Sequence, residues 1–359
     1  MSPSPAGSGR DLRTLPKAHL HLHFTGSMRP ATLVEMAAVR RLRLPRGLAE
    51  SEALRVEPDA RGWFRFQRHY DAARAVVDSE AAMRRIVREA AEDDAAEGSV
   101  RLELQVDPTS YAPFVGGLTP ALEIVLDEAA SARRATGVDI GIVVAASRTR
   151  HPLDARTLAR LAARHAGAVV GFGLSNDERR GTTADFAPAF RIARDAGLAS
   201  LPHGGELLGP SHVRDVVEHL GPDRLGHGVR AAEDPALLER IVELGIALEV
   251  CPASNAALGV FRSADEVPLR ALLDAGATVA LGADDPLLFG SRLLDQYETA
   301  RALGLDDTAL AGLAAASIRA SRADEESRRR MLRGVDAWLA QVPGTTGDPA
   351  AEVRAAQRT

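Results

Sequence analysis

Two hydrophobic periods alternate along this chain and divide it into short strands and longer helices. Apolar runs and apolar–polar alternation, typical of strands, are separated by stretches with the 3.6-residue period of amphipathic helices. Glycine stands at four junctions where a predicted helix is followed by a strand, as helix-terminating glycines do: Gly137, Gly197, Gly245 and Gly276. Eight strands are predicted, over residues 17–23, 100–106, 138–146, 169–174, 199–203, 224–227, 246–251 and 277–282.

Helices are predicted between consecutive strands and at two further places. The regular ones cover residues 80–97, 120–136, 155–165, 186–196, 213–220, 235–244 and 269–275. Additional helices are predicted over residues 30–40 and 62–70, before the second strand, and from the last strand to residue 339. Alternation of strand and helix eight times is typical of a (β/α)8 barrel. We therefore predict an α/β fold, a TIM barrel with extra helices between strands one and two and at the C-terminus.

The two ends of the chain lack this periodicity. Residues 1–10 are rich in Ser, Pro and Gly, and residues 343–359 are polar, so both are expected to be flexible tails around a single barrel domain over residues 11–342. The first segment has no hydrophobic stretch of the kind found in signal peptides. No apolar run approaches the roughly 18 residues of a membrane span. A cytoplasmic protein without membrane contact is the default expectation.

Composition and charge narrow the class of partner. Hydrophobic residues make up 45% of the chain, which supports a large core, and the net charge of −5 with no basic stripe argues against nucleic-acid binding. A small molecule is the expected partner, and nothing in the pattern indicates an oligomeric state. The single cysteine, Cys251, excludes a disulfide framework and a multi-thiolate metal site.

The first predicted strand carries three histidines on one face. His19, His21 and His23 alternate with apolar residues, so their side chains point the same way. Core histidines, each satisfied by a hydrogen bond, are one interpretation, and a metal site is the other, because imidazole is a common zinc ligand. His19 lies deeper in the predicted barrel, where a structural hydrogen bond is expected.

Other polar side chains gather at the C-terminal ends of the predicted strands, where barrel enzymes have their active sites. Strands one, five, six and eight end with the following residues: His21, His23, His203, Glu206, His227, Asp284 and Asp285. The remaining histidines are expected at the surface or at helix caps: His69, His151, His165, His212 and His219. This coincidence of strand ends favours a metal site over packing.

Three histidines and one carboxylate suit a catalytic zinc ion with an open position. We predict one zinc per chain, with the ligands His21, His23, His203 and Asp284. The site is predicted to be mononuclear, because strand four offers neither the lysine nor the glutamate that bridges two ions in related barrels.

Three residues beside the predicted ligands are candidates for the chemistry. Glu206 lies three residues past a ligand and is the candidate general acid/base, unless it is a solvated loop carboxylate. His227 and Asp285 remain to orient the attacking water and the substrate.

An aromatic stripe follows the first strand. Trp63, Phe66 and Tyr70 stand at i, i+3 and i+7, which places them on one helix face. Such a stripe is usually part of the core, but its position in a long connection after the candidate site also fits a lid over the pocket.

Together these motifs resemble the adenosine deaminase family of zinc aminohydrolases. The resemblance runs from about residue 14 to 320 and is carried by six segments, residues 16–23, 171–178, 203–206, 224–228, 249–252 and 284–286. It implies hydrolysis of the amino group at purine C6, most simply of adenosine or 2′-deoxyadenosine to the inosine form plus ammonia, in purine salvage. It also implies that Glu206 protonates ring N1, that His227 orients the attacking water, and that Asp285 bonds N7.

The resemblance also implies which residues contact the substrate, and two of them depart from the family pattern. Thr25 stands where the family has an aspartate that contacts the ribose 5′-hydroxyl, and Asn176 stands where it has a glycine whose N–H meets purine N3. His23, Gly173 and Asp285, with the aromatic stripe as lid, would complete the contacts.

Several readings of the function remain open. Adenosine is the leading substrate, and adenine or a 5′-modified adenine nucleoside such as aminodeoxyfutalosine is the alternative. A metal hydrolase for amide or ester bonds, and an idle barrel that binds a nucleoside or a partner protein, are the competing classes. The ligand types favour zinc without excluding another divalent ion.

Overall fold

The computed structural model describes residues 9–342 and 347–358. Eight parallel strands form one sheet whose order follows the chain. The strands are β1 (Lys17–His23), β2 (Ser99–Val106), β3 (Asp139–Ser147), β4 (Val169–Ser175), β5 (Ala199–Gly204), β6 (Arg224–His227), β7 (Ala247–Val250) and β8 (Val279–Leu281). The predicted (β/α)8 barrel is therefore confirmed, and only β7 and β8 are clearly shorter than predicted.

The barrel closes beside the candidate site. An isolated parallel bridge joins Leu22 to Asp284, just after β8. The His23 amide donates to the Asp284 carbonyl at 3.0 Å, and the Asp284 amide donates to the His21 carbonyl at 3.0 Å. Because these backbone bonds involve the predicted ligands themselves, closure of the barrel brings the strand-one histidines next to Asp284.

Helices surround the barrel and connect its strands. Over the described residues they are α1 (Pro30–Arg40), α2 (Arg46–Ala49), α3 (Ala60–Arg74), α4 (Glu80–Ala96), α5 (Ala112–Val115), α6 (Leu118–Thr136), α7 (Pro152–Arg164), α8 (Thr183–Asp195), α9 (Pro210–Leu220), α10 (Pro235–Glu243), α11 (Pro252–Ala257), α12 (Leu269–Asp274), α13 (Pro286–Phe289), α14 (Leu293–Ala302), α15 (Asp307–Ala320), α16 (Glu325–Ala340) and α17 (Pro349–Gln357). None of these helices combines the length and the apolar composition that crossing a bilayer requires.

The predicted extra helices are present at both places. Helices α1 to α4 fill the long connection between β1 and β2, and the last helices follow β8. Asp59 caps α3 by accepting from the Gly62 amide, and Ser79 caps α4 by accepting from the Ala82 amide. These side chains satisfy backbone donors that a helix start leaves free, so the caps fix where both helices begin.

The two ends, for which flexible tails are predicted, make specific contacts where the structure describes them. Arg10 pairs with Asp307, donates to the Leu339 and Gln341 carbonyls, and stacks over Trp338. At the other end, α17 packs against α16 and β2. The sequence contains a pattern that favours the start of α17, an aspartate, Asp348, followed directly by a proline. In the structure, the Asp348 side chain accepts from the Ala351 amide and caps the helix. Residues 1–8, 343–346 and 359 lie outside the described part.

The only lysine of the chain is buried at the start of β1. Lys17 is 0% exposed, and burial lowers its pKa to about 7. Its Nζ donates to the carbonyls of Leu12, Leu15 and Glu97 at 2.7, 3.0 and 2.5 Å. Because Glu97 ends α4, the ammonium ties the segment before β1 to the end of that helix.

Candidate active site

The predicted ligands converge at the C-terminal end of the barrel. His23 Nε2 lies 3.2 Å from Asp284 Oδ1 and 3.2 Å from His203 Nε2, and His21 Nε2 lies 3.5 Å from Asp284 Oδ1. All but His23 are buried, and His21 Nε2 has no hydrogen-bond partner among the described residues. These four side chains come from β1, from β5 and from the segment just after β8. Their nitrogen and oxygen atoms therefore lie close together around one position.

These distances fit a tetrahedral cation site. Two nitrogens bound at 2.0–2.1 Å to a tetrahedral zinc lie about 3.3 Å apart, and the His23 and His203 nitrogens are 3.2 Å apart. Two imidazole nitrogens at this distance need a shared proton or a cation between them. Among the described residues, the side chains of the site form three overlapping groups able to hold an ion: His21 with His23 and Asp284, His21 with His203 and His227, and Glu206 with His227 and Asp284. The residues present therefore fit the zinc site that the sequence predicts.

Neighbouring polar side chains orient the candidate ligands. His21 Nδ1 donates to Glu249 Oε2 at 2.7 Å, which leaves Nε2 for an ion, and Ser254 donates to Asp284 Oδ2 at 2.6 Å. Glu249 is held in turn by Arg224 at 2.5 Å, and although burial raises the pKa of Glu249, this guanidinium keeps it below its usual value. Carboxylates that accept from the second nitrogen of a metal-binding histidine fix its tautomer and its orientation.

Glu206 is buried next to these ligands and is held by a second carboxylate. Its backbone amide and those of Leu207 and Leu208 donate to the Glu178 carboxylate at 3.1, 2.8 and 2.8 Å. The Glu206 carboxyl lies 3.8 Å from His227 Nε2. The interpretation of Glu206 as a solvated loop carboxylate does not agree with this placement, because only 4% of the residue is exposed.

Burial and nearby charge shift several pKa values in the site. Burial raises the pKa of Glu206 well above its usual value, and the Asp284 and Glu178 charges raise it further. The same two causes, burial and the Asp284 charge, raise the pKa of Asp285. Burial lowers the pKa of His227 to about 3 and holds that of His203 well below its usual value. These shifts favour a protonated Glu206 beside neutral His203 and His227 at neutral pH.

Three site residues adopt left-handed backbone conformations. Asn176, His227 and Asp284 have φ angles of 81°, 63° and 62°, in a region that residues other than glycine rarely occupy. Such conformations concentrate where the surrounding structure forces a side chain into a functional position. The Asn176 side chain supports its own turn by accepting from the Asp177 amide at 2.8 Å.

A cavity of about 560 Å³ opens above the ligands. Its floor is formed by the half-buried His23 and by four buried residues, His203, Glu206, Asp284 and Asp285. The lid residues predicted from the aromatic stripe all line its wall: Trp63, Phe66 and Tyr70. The stripe also serves the core, since Phe66 stacks on Phe289 with ring centroids 5.7 Å apart. Its role as a lid stays a prediction.

Comparison with known proteins agrees with this geometry. A sequence profile described as adenosine deaminase matches residues 16–338. The chain belongs to the adenosine deaminase family. Members of the family are hydrolases that act on C–N bonds and depend on a metal ion, so the chain is an enzyme of that class.

Individual relatives cover nearly the whole chain. A Streptomyces coelicolor protein named an adenosine/adenine deaminase is 60% identical over 338 residues, which is 92% of this chain and 98% of the relative. The structure of an adenine deaminase from Arthrobacter aurescens superposes with a TM-score of 0.83 at 28% identity, over 91% of this chain and 100% of that chain. The Arabidopsis protein ADAL, solved in complex with IMP, has a TM-score of 0.80 at 25% identity over 91% and 97%.

Thr25, one of the departures from the adenosine deaminase pattern, is engaged with a residue that sequence reasoning missed. Its hydroxyl lies 2.5 Å from the hydroxyl of Tyr111, and both side chains line the cavity. Tyr111 precedes α5 and packs its ring against Phe24, with centroids 5.1 Å apart. No sequence signal marks Tyr111, because its position depends on how the loop after β2 folds over β1.

Other predicted residues are placed as follows. Asn176 lines the cavity, whereas Gly173 is not among the lining residues and lies against Leu201 and Ala145 within the barrel. His19 makes the expected structural bonds, with Nδ1 3.1 Å from Asp94 and Nε2 accepting from the Ala283 amide at 3.1 Å.

Two of the remaining histidines correct the expectation that they are surface or capping groups. His69 and His212 are buried, the first bonded to the Arg65 carbonyl at 2.8 Å and the second 3.9 Å from Glu178. His151 does cap α7, by accepting from the Leu153 amide.

Proposed function

We propose that this chain is a zinc-dependent aminohydrolase that converts a 6-aminopurine nucleoside, adenosine in the simplest case, into the 6-oxo product and ammonia. One observation carries the proposal. Glu206 and Asp285, two buried carboxyls, line the same cavity floor as His23, His203 and Asp284. Hydrolysis at an aromatic C–N bond needs an activated water and a proton donor to the ring, and this floor offers groups for both.

The metal would be held by His21, His23, His203 and Asp284. A zinc ion with an open position lowers the pKa of a water ligand to about 7, which supplies a nucleophile near neutral pH. The chain's own residues perform the remaining steps.

Glu206 is the candidate proton donor. Because its pKa is raised by burial, the protonated form persists at neutral pH and can give its proton to ring N1 as water adds at C6. His227, 3.8 Å from Glu206 and 3.9 Å from Asp284, is placed to orient the incoming water. Asp285 lines the same floor and would bond N7. The oxygen of water becomes the 6-oxo group, and the amino group leaves as ammonia.

A nucleoside fits the cavity better than a free base. Cavities of about 300–1,000 Å³ take drug-sized ligands, and the present one has a volume of about 560 Å³ with polar side chains beyond its floor. Adenine is the second candidate substrate, favoured by the similarity to the Arthrobacter aurescens adenine deaminase.

The test is turnover of a defined set of purines by zinc-loaded protein. Adenosine, 2′-deoxyadenosine and adenine would be compared by the change in ultraviolet absorbance and by ammonia release. Deamination of adenosine at a higher kcat/KM than adenine supports the proposal. Turnover of adenine alone would support the second candidate, and turnover of amide or ester substrates alone would favour a different hydrolase.

We expect the protein to contain one zinc ion per chain and His203→Ala to lose it. The His203 imidazole meets His23 at 3.2 Å, and its removal leaves three ligands and an unfilled position. Metal analysis of both proteins after purification and dialysis is the measurement. His165→Ala is the matched control, because His165 follows α7 and belongs to none of the candidate ion-binding groups. Two ions per wild-type chain, or wild-type zinc in His203→Ala, would contradict this assignment.

A further inference from the structure

The remaining histidine of β1 uses both of its ring nitrogens within the protein. His19 is buried, and its Nδ1 lies 3.1 Å from each carboxylate oxygen of the buried Asp94. Its Nε2 accepts a hydrogen bond from the Ala283 amide at 3.1 Å. Because neither nitrogen is left for an ion, His19 does not act as a ligand from this position. Its place on the same strand as two candidate ligands calls for a different role.

These two contacts fix the position of the proton on the His19 ring. An amide N–H donates only to an unprotonated ring nitrogen, so Nε2 is the acceptor and Nδ1 carries the hydrogen that Asp94 accepts. Asp94 is held in turn by Arg292, whose Nη2 lies 3.8 Å from its Oδ1. The end of α4, which carries Asp94, therefore orients the imidazole so that its acceptor faces the segment after β8.

The amide that His19 accepts belongs to the residue directly before a candidate ligand. Ala283 follows the end of β8, and the next residue is Asp284. The Asp284 amide donates to the His21 carbonyl at 3.0 Å, so β1 holds this segment twice, once through its backbone and once through the His19 side chain. A displacement of Ala283 would therefore move Asp284 with it.

Asp284 needs this support because its backbone is in the left-handed region, with a φ angle of 62°. A residue other than glycine keeps such a conformation only where the surrounding structure imposes it. In this conformation Asp284 Oδ1 lies 3.2 Å from His23 Nε2 and 3.5 Å from His21 Nε2. Ser254 holds the other carboxylate oxygen at 2.6 Å, whereas His19 holds the backbone that carries the side chain.

We propose that His19 is a positioning residue of the candidate metal site, which holds Asp284 in its ligating conformation through the Ala283 amide. The inference rests on the metal site of the proposed function and adds to it a residue outside the four ligands. Without an acceptor, the buried Ala283 amide would be unpaired, and the segment that carries Asp284 would shift to find another partner. Groups that orient metal ligands typically contribute about 10–100-fold to metal affinity.

Two substitutions of His19 separate its two contacts. In His19→Asn the side-chain amide ends near the position of Nδ1, so it keeps a donor for Asp94 and loses the acceptor for Ala283. We expect the zinc dissociation constant, measured by competition with a chromophoric chelator, to rise by about 10–100-fold. In His19→Gln the side-chain oxygen can take the position of Nε2 and accept from Ala283. This variant should change the constant by less than about threefold, below the contribution of an orienting group.

Ser317→Ala is the matched structural control. The Ser317 hydroxyl, on α15, accepts from the Ala18 amide at 3.0 Å, so this variant also removes a buried side-chain acceptor from a backbone amide at this end of the barrel. It should lower the thermal unfolding midpoint and keep the wild-type zinc affinity, because Ala18 does not adjoin a ligand.

The double variant His19→Leu/Asp94→Leu keeps the inference testable if His19→Asn does not fold. Removal of both partners leaves no unpaired buried charge, which is the main cost of a single substitution in a buried pair. The acceptor for Ala283 is lost again, so the zinc dissociation constant should rise by the same 10–100-fold or so.

The outcomes separate this inference from the proposed function. Wild-type zinc affinity in His19→Asn or in the double variant would overturn the inference, and so would an equal loss in His19→Gln or Ser317→Ala. Tight zinc binding without deamination of any purine would contradict the proposed function alone, since the dissociation constant is measured without substrate. A wild-type protein that binds no zinc would overturn both.

Discussion

Glu206→Gln should reduce kcat for the preferred purine by about 10²–10⁴-fold, the range that a positioned general acid or base contributes. Glutamine keeps the shape of the side chain but cannot give up a proton to ring N1. The zinc content should stay at the wild-type level, because Glu206 is not one of the four predicted ligands. Steady-state kinetics and metal analysis on the same preparation provide both measurements.

The pH profile adds a second readout for Glu206. Its pKa is raised by burial, so the acid form dominates at neutral pH and is lost as the pH rises through that value. The wild-type kcat/KM should therefore fall on the alkaline side, and this limb should disappear in Glu206→Gln. Glu239→Gln, at an exposed site on α10, is the control and should behave as wild type. A loss in Glu206→Gln smaller than about threefold, far below the usual contribution, would remove Glu206 from the mechanism.

Gly26→Ala should nearly abolish turnover although it changes none of the four predicted metal ligands. A Cβ at residue 26 would lie 1.8 Å from Asp285 Oδ1 and 2.7 Å from Asp285 Cα. The chain after β8 would have to move, and a displacement of about 1 Å at a catalytic group can reduce the rate by about 10²-fold. Overpacking of this kind also destabilises by about 1–3 kcal/mol. The measurements are kcat and the thermal unfolding midpoint.

The control for this variant is Gly312→Ala in α15. A Cβ at residue 312 meets nothing within 4 Å, so alanine there should leave kcat unchanged and stabilise the helix by up to about 1 kcal/mol. If Gly26→Ala kept both the wild-type kcat and the wild-type midpoint, the backbone near Asp285 would have to be more adaptable than its packing indicates.

The strands, and the strand ends that carry the candidate metal ligands, could be predicted from the sequence because they depend on local periodicity. Alternation of His21 and His23 with leucines fixes their common face, and the turn signal at Gly26 marks the end of β1. The sequence does not show why residue 26 has to be glycine. The reason is its close contact with Asp285, which lies far from residue 26 along the chain. Sequence patterns report the neighbours of a residue along the chain and not its neighbours across a closed barrel.

The residues that hold the ligands were missed for the same reason. Glu249 lies on β7 and meets His21 on β1 only after the barrel has closed. Glu178 was part of the family resemblance, yet its three bonds to the backbone of the Glu206 loop cross from β4 to β5. Tyr111 reaches Thr25 from a short loop without periodicity. The residues of the cavity floor could therefore be predicted from the sequence, whereas Tyr111 on the cavity wall and the residues that orient the floor could not.

Burial of Lys17 gives this protein an unusual chemical property. Because it is the only lysine and its buried Nζ donates to three carbonyls, the folded chain offers acylating reagents no accessible ε-amine. Attachment of an acetyl group to Lys17 requires the segment before β1 to separate from the end of α4. The rate of that acylation, followed by peptide mass spectrometry, should therefore measure how often the barrel opens at its first strand.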